Sequence, residues 1–257
     1  MAPTALVTGA TAGIGLSFAR QLAAHGHDLV LVARDGERLA AVAAELGSAS
    51  GCRVEVVSAD LSDRDQVQRV ADRLADPARP VDLLVNNAGF GLNRAFLTGA
   101  VADEERMLDV LCRAVLVLSH AGARAMRERG RGAIVNVSSV SGFVAMGSYS
   151  AAKAWVTTFS EALAGELAGS GVSVTALCPG FVRTEFHERA GIGMSRLPGV
   201  AWLDSDEVVR ACLDDVRRSR VVSVPSRRYQ AVVALARHSP RDLVRRFSWA
   251  IARRRTR

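Results

Sequence analysis

The chain has 257 residues, 49% of them apolar, and a formal net charge of +7. That length suits one large α/β domain or two small ones, and no run approaches the ~20 apolar residues of a membrane span. The charge is unevenly held: from Arg217 onward thirteen arginines stand against the single acid Asp242, so the basic character belongs to the tail and says little about the body.

Cys52, Cys112, Cys178 and Cys212 are scattered and form no CxxC pair, which fits a reduced, cytoplasmic protein rather than a disulfide framework. The histidines show no metal-ligand spacing, and no metal is expected. No basic segment followed by an apolar one opens the sequence, so no signal peptide is expected either.

Ala5-Leu6-Val7 is a short apolar run, and Thr8-Gly9-Ala10-Thr11-Ala12-Gly13-Ile14-Gly15 follows it directly, ahead of a helix-period segment reaching about His25. A glycine-rich turn between strand and helix lets backbone N–H groups approach a pyrophosphate at the positive end of the helix. The next strand, Leu29 to Ala33, ends in Arg34. A basic residue there suits the 2′-phosphate of NADP(H), although Asp35 one position on could serve the ribose of NAD(H) instead.

Residues 36–46 read as a helix, 53–57 as a third strand leading to Asp60-Leu61, and 65–74 as a helix. A fourth strand, 81–85, is closed by Asn86-Asn87-Ala88-Gly89. A long helix over 104–127 has Met107, Leu108, Leu111, Val115 and Leu118 at core spacing. The fifth strand, 133–137, ends in Ser138-Ser139, and a helix follows to about Ala168. The sixth strand, 172–177, closes at Cys178-Pro179-Gly180. A further helix, 204–218, and a seventh strand, 221–224, complete the alternation. This pattern predicts a Rossmann-like doubly wound α/β fold, a parallel sheet of about seven strands flanked by helices on both faces. Ligands of such sheets bind beyond the carboxyl ends of the strands, where the marked turns fall.

Tyr149 and Lys153 are four residues apart, one turn of helix on the same face. A phenol titrates near pH 10, so a fixed ammonium beside it favours the phenolate and brings it toward neutral pH. Lys153 is the only lysine in the chain, a choice that suggests a site needing a compact ammonium rather than a guanidinium.

Together these residues resemble the short-chain dehydrogenase/reductase superfamily in its compact single-domain form, from about Thr4 to Glu185. The resemblance rests on the spacing of Gly9, Gly13 and Gly15, on Asn86-Asn87-Ala88-Gly89, and on the Y-x-x-x-K motif at Tyr149 and Lys153. It implies an NADP(H)-dependent oxidoreductase that moves hydride between nicotinamide and a carbonyl or secondary alcohol. Cofactor contacts are implied at Gly9, Thr11, Ala12, Gly13, Ile14, Gly15, Arg34, Asp60, Leu61, Asn87, Ala88, Gly89, Tyr149, Lys153, Pro179, Gly180, Val182 and Thr184. Tyr149 would exchange the proton, Lys153 would lower its pKa and bond the nicotinamide ribose, and Ser139 would hold the carbonyl oxygen. Family members often place the serine a little further upstream of the tyrosine, so Ser138 and Ser141 are rival hydroxyls. Many also carry an asparagine, supporting a water near the lysine, where this chain has Leu111. A homodimer or homotetramer built through the helices near Glu104 and Ser150 is implied as well.

Residues 181–203 read as a substrate lid, with Phe186, Ile192, Met194, Leu197 and Trp202 among glycines, and they suggest an apolar small-molecule substrate. We expect one Rossmann-type catalytic domain over 1–225 and a basic amphipathic extension over 226–257. Two tail stretches, Tyr229 to Arg237 and the run from Asp242 with Leu243, Phe247 and Ile251, set apolar faces beside arginines. Such a helix either docks on the body or a second subunit, or lies on an anionic membrane surface, peripheral at the inner face. Nucleic acid is not expected, because a basic stripe alone is weak support for it. Two rival functions stand beside the enzyme: a non-catalytic NAD(P)-binding sensor or scaffold, and a membrane-peripheral lipid-modifying reductase of the same chemistry.

Overall fold

The structure, a computed structural model, describes residues 2–92, 94–186 and 199–255. Among them, seven strands form one sheet in the order β3-β2-β1-β4-β5-β6-β9, every neighbouring pair parallel. The strands are β1 (Thr4–Thr8), β2 (Asp28–Ala33), β3 (Val54–Ser58), β4 (Leu83–Asn86), β5 (Gly132–Val137), β6 (Val172–Leu177) and β9 (Val222–Ser223). β1, β4 and β6 are almost wholly buried, as strands covered on both faces must be.

Helices α1 (Gly13–Ala24), α2 (Gly36–Ser50) and α7 (Ser205–Arg217) cover one face, where Phe18, Leu22, Leu39, Val209 and Leu213 meet Val7, Leu31 and Val135. Helices α3 (Arg64–Ala75), α5 (Ala114–Glu128) and α6 (Gly147–Glu166) cover the other, packing Val67, Val70, Leu118 and Met126 on Leu6, Val30, Leu84 and Ile134. Aspartates start three helices by accepting backbone N–H groups: Asp35 from Arg38, Asp63 from Gln66, and Asp204 from Asp206 and Glu207. Where β1 and β4 lie side by side the chain leaves the sheet in opposite directions, and that switch point opens the ligand crevice at the strands' carboxyl ends.

Four buried polar side chains tie the sheet centre to this crevice. Asn86 Nδ2 donates to Asn136 Oδ1 (2.9 Å) and Ser119 Oγ (3.1 Å), and Asn136 Nδ2 donates to Ser160 Oγ (3.0 Å). At the outer edge, Glu55 of β3 pairs with Arg73 (2.8 Å) and Arg79 (3.3 Å).

Three features differ from the sequence expectation. The long helix starts at Val101 as α4 (Val101–Leu108), and a π-type turn over Asp109–Arg113 interrupts it before α5, placing Leu111 in the widened turn. The 181–203 stretch contains a two-residue parallel ladder, β7 (Phe181–Val182) with β8 (Trp202–Leu203). Several boundaries shift by a few residues, α2 extending to Ser50 until Gly51, at φ +68°, ends it. Ile192, Met194 and Leu197 lie outside the described residues.

Helices α8 (Arg227–His238) and α9 (Arg241–Arg255) form the tail, and both reach the body. Tyr229 and Val233 join the core, Arg237 pairs with Glu161 of α6 (2.8 Å), and Ser248 Oγ accepts the Ala145 N–H (3.2 Å).

Candidate active site

The glycine turn is built by close approach. Gly9 and Gly13 have φ of +66° and +52°, and a Cβ on Gly15 would lie 2.2 Å from the Gly9 carbonyl oxygen. The turn rests against Asn87 and Ala88, whose N–H groups donate to Thr8 Oγ1 at 2.9 and 3.0 Å. Thr184 closes its other side, 2.8 Å from where a Gly13 Cβ would stand.

Helix α1 begins here with Ala12 at its N-cap, no side-chain cap and no acid in its first turn. Its positive end therefore faces the glycine cradle with no side-chain anion of its own, which fits a nucleotide pyrophosphate.

Asp35 spends its carboxylate on the Arg38 N–H at 3.0 Å, while Arg34 is exposed at the end of β2. No pattern in the chain announces the partner of Arg38, which forks onto both Glu185 oxygens at 2.6 and 3.1 Å and joins α2 to the segment after β7. Asp60 accepts Ser62 N–H and O–H at 2.9 and 2.7 Å and pairs with Arg106 at 3.1 Å. Burial alone would raise its pKa, but the Ser62 hydrogen bonds and the charges of Arg106 and Arg34 hold it below the ordinary carboxylate value. The side chains of Leu61 and Val182 are buried in the core, so only their backbone is available to a ligand.

β5 delivers the serines and α6 the tyrosine and lysine. Ser138 Oγ is buried and bonded to the Lys153 carbonyl and Thr157 Oγ1, both at 2.7 Å, a tie between β5 and α6. Ser139 caps a short 3-10 turn by accepting the Ser141 N–H (3.1 Å), which leaves its own proton to donate. Ser141 Oγ is buried without a hydrogen-bond partner. The turn presses on α6, for a Cβ on Gly142 would lie 2.9 Å from the Lys153 carbonyl carbon.

Tyr149 is half-buried in the first turn of α6, packed on Met107, Leu111 and Ala152, its ring 5.9 Å from that of Phe186. Lys153 is 5% exposed, and its Nζ donates to the Val137 carbonyl at 2.7 Å. That Nζ lies 5.7 Å from the Tyr149 ring centroid, with Gly89, Cys112 and Leu111 about it. Desolvation brings the lysine down to about 8. Burial also pushes the Tyr149 phenol above its ordinary value. Burial sets the direction of both shifts, and the Lys153 ammonium is anchored on the Val137 carbonyl.

Among the described residues no cluster of His, Cys, Asp or Glu could hold a metal, and no helix is long and apolar enough to cross a membrane. A nucleotide cradle at the switch point, followed by serine, tyrosine and lysine at the ends of β5 and α6, defines a Rossmann-type oxidoreductase site. The short-chain dehydrogenase family matches residues 3–193, and the chain belongs to that family. It is 35% identical over 183 residues to the 3-oxoacyl-[acyl-carrier-protein] reductase of Aquifex aeolicus, covering 70% of this chain and 74% of that one. A short-chain dehydrogenase from Sphingobium yanoikuyae, solved with NADPH, superposes with a TM-score of 0.84 at 39% identity, over 91% of this chain and 94% of that one. The bulky-bulky ketone specific alcohol dehydrogenase from Comamonas testosteroni follows at 0.80 and 33%, over 91% and 92% of the two chains.

Proposed function

We propose that the chain is an NADP(H)-dependent oxidoreductase acting on a carbonyl or secondary alcohol of an apolar small molecule, in the cytoplasm. What supports this is the position of Ser139 at the end of β5, in a turn pressed on the helix of Tyr149 and Lys153, at the same end of the sheet as the glycine cradle. Bound there, the nicotinamide would supply the hydride or take it up. The chain's own part is to orient and to move a proton. Ser139 donates a hydrogen bond to the substrate oxygen, where negative charge develops, and Tyr149 gives that oxygen the proton that makes it a hydroxyl. In the reverse direction Tyr149 takes the proton back. Lys153, held by Val137, supplies positive charge next to the phenol.

Asp35 acting as a helix cap, with Arg34 exposed beside it, supports NADP(H) over NAD(H). Titrating NADPH and NADH fluorescence against wild type and Arg34→Ala tests this: a preference for NADPH that disappears in the variant is expected, and equal binding of both by wild type would refute it. The rings of Phe186, Phe181 and Trp202 near the crevice support an apolar substrate. Leu108, Leu116 and Trp155, exposed on α4, α5 and α6, support association of copies into a homodimer or homotetramer through those helices, which a monomer in sedimentation would overturn.

A second reading concerns the tail. Val232, Leu235, Leu243 and Trp249 are 49 to 71% exposed beside exposed Arg227, Arg228, Arg241, Arg245 and Arg246, a composition that favours peripheral contact with an anionic membrane. The full chain should float with phosphatidylglycerol vesicles and not with phosphatidylcholine ones; absence from both would sink this reading.

A further inference from the structure

Gly180 lies just past the end of β6, and the space its side chain would take is filled by the tail. A Cβ at Gly180 would stand 2.1 Å from Cε2 and Cζ of Tyr229, in the first turn of α8. The Gly180 backbone is not in the left-handed region, so the requirement for glycine here is steric: an aromatic ring lies flush on the backbone. Pro179, one residue back, accepts the Val140 N–H (3.0 Å), which ties the same turn to the loop carrying Ser139.

The Tyr229 hydroxyl does more than complete a contact. It accepts the Phe181 N–H (3.3 Å) and donates to the Ala201 carbonyl (2.7 Å). Phe181 is the first residue of β7, and Ala201 immediately precedes β8, so one phenol bridges both ends of the intervening segment. The neighbouring Arg228 guanidinium bonds the Val200 carbonyl. Two paired strands of two residues each are too short to hold register unaided. Among the described residues they are also held by the burial of Val182 and Leu203 in the core, the Arg183 N–H to Leu203 carbonyl bond (3.0 Å) and the contact of the Phe181 and Trp202 rings. From this base the chain carries Thr184 to the glycine turn at Gly13 and Phe186 to the ring of Tyr149.

We propose that Tyr229 is a positioning residue of the active site: its ring fixes Gly180 and its hydroxyl fixes both ends of the β7–β8 segment, so that a tail helix sets where Thr184 and Phe186 stand. The part that concerns Phe186 rests on the reading of Tyr149 as the proton donor. Tyr229 touches no reacting group and acts through β7 and β8.

Tyr229→Phe keeps the ring and removes both hydrogen bonds. Amide hydrogen exchange should speed by about tenfold in peptides spanning 181–184 and 201–203, the effect expected of hydrogen bonds of ordinary net strength. Peptides from β1 and β5 should stay unchanged. Unaltered exchange over 181–184 and 201–203 would overturn the proposal, and this readout does not depend on which residue does the chemistry. A second pair of variants tests the ring. Gly180→Ala should weaken NADPH binding, followed by fluorescence, more than about tenfold, because the new methyl has nowhere to go. Adding Tyr229→Ala should recover much of that loss, and a double variant no better than Gly180→Ala would refute the contact. If Tyr149→Phe turned over normally, the catalytic reading would fall while these two results stood on their own.

Discussion

Lys153→Met removes the one ammonium that the fold buries beside its candidate proton donor. Holding that lysine at about 8 instead of its ordinary 10.5 means the charged form is disfavoured on folding by about 3 kcal/mol. Against this stands the bond from Nζ to the Val137 carbonyl, a charged-donor hydrogen bond contributing about 1.5–2 kcal/mol. Methionine fills similar volume without charge, so at pH 7 the variant should be more stable than wild type by about 1–2 kcal/mol. The sign with pH follows from proton uptake. Between about 8 and 10.5 the unfolded lysine is protonated and the folded one is not, so wild type gains stability as pH rises through that window. The variant has no such group and should not. Urea unfolding of both proteins at pH 7 and pH 10 reads this directly: the variant's midpoint should lead by roughly half a molar at pH 7 and lose the lead by pH 10. NADPH-dependent turnover should disappear at both. A midpoint difference independent of pH, or a variant weaker at pH 7, would show that burial does not strain this ammonium.

Tyr149→Phe should cut turnover by about 10²–10⁴ with NADPH fluorescence titrations within twofold of wild type, the range of a lost general acid. Asn136→Ala, which breaks bonds to Asn86, Ser119 and Ser160 in the sealed sheet centre, should cost about 2–4 kcal/mol in chemical denaturation, because Ser160 keeps its bond to Val156 and Asn86 its bond to Ser119. Gly15→Ala should abolish nucleotide binding in the same fluorescence titration, since its Cβ would fall 2.2 Å from the Gly9 oxygen and 2.4 Å from Asn87 Nδ2.

The sheet was legible because each strand is a short apolar run that ends in a marked turn, and covered parallel strands must be written that way. The glycine cradle was legible for a related reason: Gly9 and Gly15 stand where backbones touch, and Gly13 where the Thr184 side chain closes in. What stayed hidden depends on partners far away in sequence. The widened turn at Leu111 leaves no trace in a helix-period pattern, because Met107, Leu111 and Leu118 are apolar whichever way the ladder runs. Three serines near β5 look alike as letters, and it is tertiary contact that ties Ser138 to Lys153 and Thr157 and leaves Ser139 with a local bond to the Ser141 N–H. Arg38 meets Glu185 across 147 positions of chain. In the tail, arginines draw attention to the exposed face, whereas Tyr229, Val233 and Ser248 join Arg237 in the docking, and a buried serine inside an arginine-rich helix has no pattern to announce it.

The ion cluster at Glu55 has a consequence for how the protein meets other chains. β3 is the last strand on its side of the sheet, so its outer N–H and C=O groups would be a ready template for another strand. Val56, 39% exposed there, is the kind of residue that invites such stacking. Glu55 next to it, gripped by Arg73 and Arg79, places fixed charge on that rim and makes strand addition costly. Glu55→Val would leave the buried Arg73 without its carboxylate, while Arg79 keeps Asp76, and would put a second apolar β-branched residue at an open edge. The hydride-transfer site, at the carboxyl ends of the strands, would be untouched, yet the protein should begin to aggregate: the guard on solubility sits apart from the chemistry.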